Sequence, residues 1–494
     1  MARAWRLLLV AGLACEGQPA TVGEDIAPDA GPGTFVIREV TPSSNDVAVD
    51  TGSPIQFRFS RGVDGQSLAD KLWVFGRTSG PVPGQVTVSG KDPRIATFSP
   101  MRPYAAGERV TVTIAGGVLA SSGFVLPNRG FAFQFWTKSA PADLLLTEIQ
   151  ELSTRTDPTA ATRSSCGAGA DLNGDRFPDL AIANEVTADL RAFLNNADQT
   201  GTFAAFSEPT SPLTAQGASV TADFNLDGIV DLAVASPVTG TVSILLGNGD
   251  GTFAPQQLVA VGQTPQGIAS LDVDGDGDWD VVTANHGDSN LSIVLNDGGG
   301  VFGDAESFDG GGDGEWALAA ADMDNDGLID LVVGAQDSEQ VIVNRNNGNG
   351  TFSPQGPQSA GGDVWMLVAG DLNGDNNPDV ALVSRQSNTG AILLGNGNGF
   401  LAAPDLYDNI QAGPVHSNLG DLDGDGDLDW VISSFAGEWT VFTNARTGSF
   451  ARNQTIEAAQ SAACSILFDA VGDGILELAL IDELADTITI VDNE

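Results

Sequence analysis

Asp171-Leu-Asn173-Gly-Asp175-Arg-Phe-Pro-Asp179 carries an oxygen side chain at positions 1, 3, 5 and 9, and the apolar run Leu180-Ala-Ile-Ala follows it. The pattern begins again at Asp223, Asp272, Asp322, Asp371 and Asp421, and an altered seventh copy begins at Asp469. A period of about fifty residues held over seven copies marks a stacked-repeat or propeller fold. One unit shows what is repeated. Ala218–Ala222, Asp231–Ser236 and Thr241–Leu246 read as short strands, and the turn Gly247-Asn-Gly-Asp-Gly251 leads through Phe253 to a fourth. Four short runs bounded by Gly, Asn and Asp turns predict an antiparallel meander, and helical periodicity is weak throughout. Phe203, Phe253, Phe302, Phe352, Phe400 and Phe450 follow Gly-rich turns once per unit and are expected to pack between units.

The alternation at positions 1, 3 and 5 turns three carboxylate or amide oxygens inward from one tight loop, and position 9 closes the shell. Hard cations are held this way, and Ca2+ takes six to eight such oxygens. The six intact sets are Asp171, Asn173, Asp175 and Asp179; Asp223, Asn225, Asp227 and Asp231; Asp272, Asp274, Asp276 and Asp280; Asp322, Asp324, Asp326 and Asp330; Asp371, Asn373, Asp375 and Asp379; and Asp421, Asp423, Asp425 and Asp429. About six Ca2+ sites are therefore expected. In the seventh copy, Asp469, Asp473 and Glu477 remain, but position 3 is Val471 and position 9 has a longer arm, so its metal binding is doubtful. An EF-hand is excluded because Ile182, Val234 and Thr283 stand where the first three copies would need Glu at position 12.

These loops resemble the FG-GAP or VCBS repeats of integrin alpha chains and many bacterial surface proteins. The resemblance covers Ser164–Glu494 and implies a seven-bladed beta-propeller, each acidic loop joining the innermost strand of a blade to the second. It places calcium on the lower face, opposite the face that family members most often use for ligands. The last repeat ends after its third strand, Thr487–Val491, whereas Ala142–Ile149 is a strand-like stretch with no other place. Unpaired strand edges are avoided, so this stretch is expected to complete the last blade; a linker strand that pairs with nothing is the alternative. Cys166 and Cys464 each stand five residues before an acidic loop, in the first and last repeats. A closed ring makes them neighbours. They read either as a disulfide or as two small buried thiols.

The N-terminus begins with Arg3 and Arg6, continues with the apolar Leu7-Leu-Leu-Val-Ala, and reaches Gly12-Leu-Ala-Cys15. So short an apolar core does not span a bilayer, and it reads as a signal peptide over 1–14. It resembles a bacterial lipoprotein signal with Cys15 as the lipidated residue, although Gly12 replaces the usual Leu. Ordinary cleavage at the same bond is the alternative. Residues 15–33 read as a flexible tether. From 34 to 138, strand-like runs such as Pro54–Phe59, Arg109–Ile114 and Phe131–Trp136 predict a beta-sandwich. With Thr41-Pro42, Phe57–Asp64 and Phe133–Thr137, this stretch resembles the bacterial Ig-like domain of the S-layer type. A spacer is expected here, with a secondary binding module as the alternative, and residues 139–163 form a linker with the ring-closing strand. The fold class is thus all-β, an Ig-like sandwich followed by a seven-bladed propeller.

Lys and Arg number 21 against 65 Asp and Glu, a net charge of −44. Such a surface repels nucleic acid and anionic membrane. The 42% hydrophobic content, placed at strand spacing, argues for a packed core rather than an acidic disordered chain. No catalytic residues are assigned. His286 and His416 lie in different repeats without a nucleophile motif, and the carboxylates already have a metal explanation. The candidate ligand surface is the end of the inner strands away from the loops. Six residues before two neighbouring loops stand Trp316 and Trp365, with Glu315 beside one and His416 on the next repeat. Indoles flanked by polar groups suit a sugar or a peptide; packing of both tryptophans inside the channel is the alternative. The expected function is recognition or adhesion at the bacterial cell envelope, of a surface glycan or protein ligand, with any membrane contact through a lipid anchor. A polysaccharide-active enzyme, a structural envelope component and a free secreted protein are the alternatives.

Overall fold

The structure, a computed structural model, describes residues 34–206, 217–408 and 410–494. The signal segment, Cys15 and the tether lie outside the described residues.

Seven antiparallel sheets follow one another along the chain, one per acidic loop. The third illustrates the build: inner strand Pro265–Leu271, second strand Asp280–Asn285, third strand Asn290–Val294 and outer strand Glu306–Phe308 pair in that order. Every second strand is buried along its whole length because blades cover it on both sides. This is why those strands read as continuous apolar runs instead of alternating. The inner strands touch in cyclic order, and Ser164–Ala170 of the first sheet meets Ala462–Phe468 of the last. The result is a closed ring of seven sheets around a central channel, the arrangement of a seven-bladed propeller. Blade 1 has three strands among the described residues, and blade 4 has five.

The ring is closed in three ways. Leu146–Ser153 supplies the outer strand of blade 7, pairing antiparallel with Thr487–Asn493. This strand lies four residues further on than the stretch read from sequence. Cys166 and Cys464 are joined, with Cα atoms 5.4 Å apart, within the span a disulfide requires. Asp486 accepts from Thr162 N (3.1 Å), Thr162 Oγ1 (2.8 Å), Arg163 N (2.5 Å) and Arg155 Nε (2.8 Å).

The repeated phenylalanines pack between blades with one exception. Phe203 meets Phe468 edge-on, and Phe302 meets Phe224 in the same way. Phe400 is 47% exposed. The bridging residue in that blade is Leu401, opposite Gly395, in the place that Phe253 takes opposite Gly247 and Phe302 opposite Asn296. The second residue of that bridge is what turns inward, and in blade 5 that residue is leucine.

The N-terminal domain is a sandwich of two four-stranded sheets. One contains Ile37–Thr41, Ile55–Phe59, Ile95–Pro100 and Gly84–Val88; the other contains Gly80–Pro81, Leu72–Gly76, Arg109–Ile114 and Phe131–Trp136. Phe35, Phe57, Phe59, Phe133 and Phe135 fill its core. It is seated on the propeller rather than tethered beside it. Backbone bonds join Gly116 N to Gly275 O (2.8 Å), Ala132 N to Gly327 O (2.7 Å) and Asp171 N to Thr78 O (2.8 Å). Asn45 Nδ2 donates to Asn376 O at 3.1 Å. The linker Ala140 and Ala142 bond to Gly474 O and Asp423 O. The domain and linker therefore rest on the acidic loops and cover that end of the channel.

Candidate metal loops and the channel they surround

Each loop is first tied by its own backbone. The position 1 carboxylate accepts the amide of position 6 in all seven copies, at 2.7 to 3.2 Å. Position 6 is left-handed in every copy, with φ from +65° to +99°, so Gly or Asn stands there in all but one. Arg176 is the exception. In the six intact copies the position 9 carboxylate is held from both sides. In blade 3, Asp280 accepts Val273 N and Asn296 N, both at 2.8 Å. In blade 6, Asp429 accepts Leu422 N at 2.9 Å and Asn444 N at 3.0 Å. This carboxylate clamps the loop to the end of the third strand by backbone hydrogen bonds alone.

Carboxylate oxygens converge to within 4.8 Å of one another for Asp272, Asp274 and Asp276, for Asp322, Asp324 and Asp330, and for Asp421, Asp423 and Asp429. In blades 1, 2 and 5 position 3 is Asn, whose amide donates to the position 5 carboxylate: Asn173 to Asp175 and Asn225 to Asp227 at 2.9 Å, Asn373 to Asp375 at 3.2 Å. Asp326 is drawn aside by Arg129 of the Ig-like domain at 3.0 Å, and Arg345 pairs with Asp324. In the seventh loop Glu477 accepts Ala470 N and Val471 N through one oxygen, while its other oxygen is buried without a partner.

Burial raises the carboxyl pKa of Asp179, Asp231 and Asp379 to about 7 and of Asp330 and Asp429 to about 8. Neighbouring loop carboxylates push the same way and backbone N–H groups oppose them. At position 1, Asp272 and Asp421 reach about 7 for the same reasons. Gathering these oxygens is thus unfavourable for a metal-free loop, and a divalent cation reverses the sign of the interaction.

Inside the ring lies one cavity of about 620 Å³, running from the Ig-like sheet at its floor to the open ends of the inner strands. Trp316 and Trp365 lie at that mouth, half-buried, with ring centroids 4.4 Å apart. Arg385 covers the Trp365 ring at 4.4 Å and the Phe435 ring at 4.9 Å. His286 stands edge-on to Trp316 at 4.9 Å.

Comparison with known families matches an FG-GAP-like repeat at residues 223–283, 272–333, 322–382, 371–432 and 421–480, together just over half of the chain. The chain belongs to the FG-GAP-like repeat family. A bacterial Ig-like domain matches residues 33–137. Comparison with curated proteins gives no match. Among solved structures, the chain is similar to BBS1N in its complex with ARL6DN, at 13% identity over 70% of this chain and 97% of that one, TM-score 0.47. It is also similar to a functionally unknown protein from Desulfotomaculum acetoxidans, at 11% identity over 66% and 91%, TM-score 0.47. A third likeness, 8% identical over 71% and 98% with TM-score 0.47, is to a humanized mutant of the Chaetomium thermophilum Polycomb Repressive Complex 2.

In this FG-GAP chain the mouth differs from its sequence reading in two residues. Glu315 is fully buried, packed against Gly310 and accepting Gly312 N at 3.4 Å. Neighbours on a strand point to opposite faces, so a Trp316 that faces the channel sends Glu315 into the blade. His416 lies deeper, its Nε2 3.5 Å from Cys464 Sγ, while His286 takes the place beside the tryptophans. Sequence reading also passed over a periodic clamp. Asn296, Asn444 and Asn493 each donate from Nδ2 to a backbone oxygen of the preceding blade, at Phe224, Leu372 and Leu422. Their recurrence at the end of the third strand was the available signal.

Proposed function

We propose that this protein is an exported surface protein whose calcium-stabilised propeller recognises a surface glycan or protein ligand through the channel mouth, without chemistry of its own. Its FG-GAP repeats and Ig-like domain are of types found in extracellular and cell-surface proteins. No helix among the described residues is long and apolar enough to cross a membrane. Attachment through a lipid on Cys15 is part of the proposal, checked by mass spectrometry of the mature N-terminus.

The observation that carries the reading is the Trp316–Trp365–Arg385–Phe435 arc, contributed by three successive blades and half-buried at the mouth of a large cavity. Neighbouring, half-exposed aromatic rings with a polar group beside them are what sugar rings and peptide side chains dock against. Calcium would be held by the loop oxygens described above, and its contribution is to neutralise carboxylates that otherwise repel. The test is a glycan and protein-ligand array probed with the mature protein, with and without calcium. Saturable binding that Trp316→Ala and Trp365→Ala each weaken by tenfold or more, about 1.4 kcal/mol, supports the reading. Turnover of a polysaccharide, or binding indifferent to both substitutions, overturns it.

A further inference from the structure

The floor of the channel is made by the Ig-like domain, and it is basic. Arg77 follows the strand Leu72–Gly76, and Arg109 opens the strand Arg109–Ile114. The two strands pair with Gly76 opposite Val110, and Arg77 N bonds to Arg109 O at 2.9 Å. Arg77 and Arg109 are therefore cross-strand neighbours, and both line the cavity. Arg77 is exposed and Arg109 half-buried to water, yet protein surrounds them: burial lowers the pKa of both, and the charge of Arg77 helps bring Arg109 to about 10. They are accessible because they project into the channel.

Like charges directly opposite each other on a sheet are destabilising, and an enclosed cation ordinarily has a carboxylate beside it. Among the described residues, neither arginine has one. Arg77 Nη1 reaches Asn418 Oδ1 at 3.5 Å. His416 faces the same space and stays neutral at physiological pH, its pKa lowered to about 4 by burial and by Arg77. The acids lining the cavity are Glu185 and Glu483, and both pair with Arg163, at 3.1 and 2.5 Å. With Arg385, four guanidinium groups thus face two carboxylates, in a chain whose net charge is −44. The inside of the ring inverts the charge of its outside.

We propose that the channel floor is an anion-binding site in which Arg77 and Arg109 hold the carboxylate of a uronic-acid sugar. Two adjacent guanidinium forks match a carboxylate by charge-assisted hydrogen bonds, and the bound anion removes their mutual repulsion. The sugar assignment rests on the walls: Trp136 and Trp279 line the same cavity with 7% and 6% of their surface exposed, so each shows the channel a small apolar edge against which the C–H groups of a pyranose ring can pack. This deepens the recognition reading by naming a ligand class. Its test uses a monosaccharide, so that failure here leaves recognition at the mouth standing.

The mature protein is titrated with sodium glucuronate at constant ionic strength, with glucose and glutarate as comparisons, by calorimetry and tryptophan fluorescence. Glucuronate is expected to bind saturably and better than either comparison. Arg77→Gln and Arg109→Gln should each weaken binding by about tenfold or more, the scale of one charge-assisted hydrogen bond, while Lys91→Gln on the exposed surface leaves it unchanged. A second measurement needs no variant: glucuronate should protect Arg77 and Arg109 of the wild-type protein from phenylglyoxal, read by peptide mass mapping. Equal binding of glucose removes the anion site, and equal binding of glutarate removes the sugar assignment. Absence of both binding and protection overturns the proposal as a whole.

Discussion

Replacing Cys166 and Cys464 together by alanine tests how much the ring depends on its covalent clasp. The bond spans 298 residues of sequence, and the chain-entropy relation gives a ceiling of about 6 kcal/mol for a loop of that length. Measured losses are smaller, typically about 2–4 kcal/mol. Unfolding entropy near 2.1 cal/mol/K per residue gives about 0.7 kcal/mol/K for the propeller with its closing strand, so the expected fall in Tm is about 3–6 °C. Alanine suits the site because both sulfurs sit in an apolar cluster with Ile466, Phe468 and Ile481. The variant should still fold, since the Leu146–Ser153 pairing and the bonds to Asp486 hold the same seam. Burial alone would raise the Asp486 pKa, but the donors from Thr162, Arg163 and Arg155 outweigh it and leave it lowered. That clasp therefore stays ionised at neutral pH. Calorimetry of wild type with and without reductant, beside the double variant, is the assay. If all three melt together, or if unreduced protein shows two free thiols at these positions, the reasoning fails.

Chelation should lower the Tm of the calcium-loaded protein, and Asp274→Ala or Asp423→Ala should each remove about one ion from the stoichiometry measured by equilibrium dialysis; Val471→Asp should add one. His416 titrates at about 4 in the fold, below its ordinary value of 6.5. Its contribution to stability is present above pH 6.5 and is lost as pH falls from there toward 4, by at most about 1.4 kcal/mol per pH unit; His416→Gln should flatten that slope in acid denaturation. Gly275 has φ +85°, and a Cβ there would lie 2.4 Å from the backbone of Arg129 and of Asn128. Gly275→Ala should destabilise by more than about 1 kcal/mol and make the Ig-like domain easier to release by limited proteolysis.

The repeat was legible because its chemistry is local. The oxygen ligands at positions 1, 3, 5 and 9 share one nine-residue loop, and the strands of a blade follow one another within about fifty residues. Periodicity misled where spacing and residue type disagree, as at Phe400, where Leu401 holds the structural place. Glu315 was misplaced because proximity in sequence took no account of strand alternation. The meeting of Arg77 and Arg109 in the channel could not be read at all: nothing near them in sequence marks a cavity until the sandwich is seated on the ring. A domain that looked like a spacer in sequence is the floor of the channel, and only tertiary contact could show it.

That seating links the two chemistries of the molecule. The Ig-like domain stands on the acidic loops through Arg102 at 3.6 Å from Asp171 and Arg129 at 3.0 Å from Asp326, and through backbone bonds at Gly275 and Gly327. The partly exposed Arg129 pair contributes little by itself; backbone bonds and the burial of Phe131 against Gly327 fix the seat. The same sheet that makes those contacts carries Arg109 and, beyond its edge, Arg77. Loop geometry and the position of the channel arginines are therefore set by one interface. A cation held in the loops would thus lie one packed backbone contact away from the floor of the cavity, at Gly275 and Gly327.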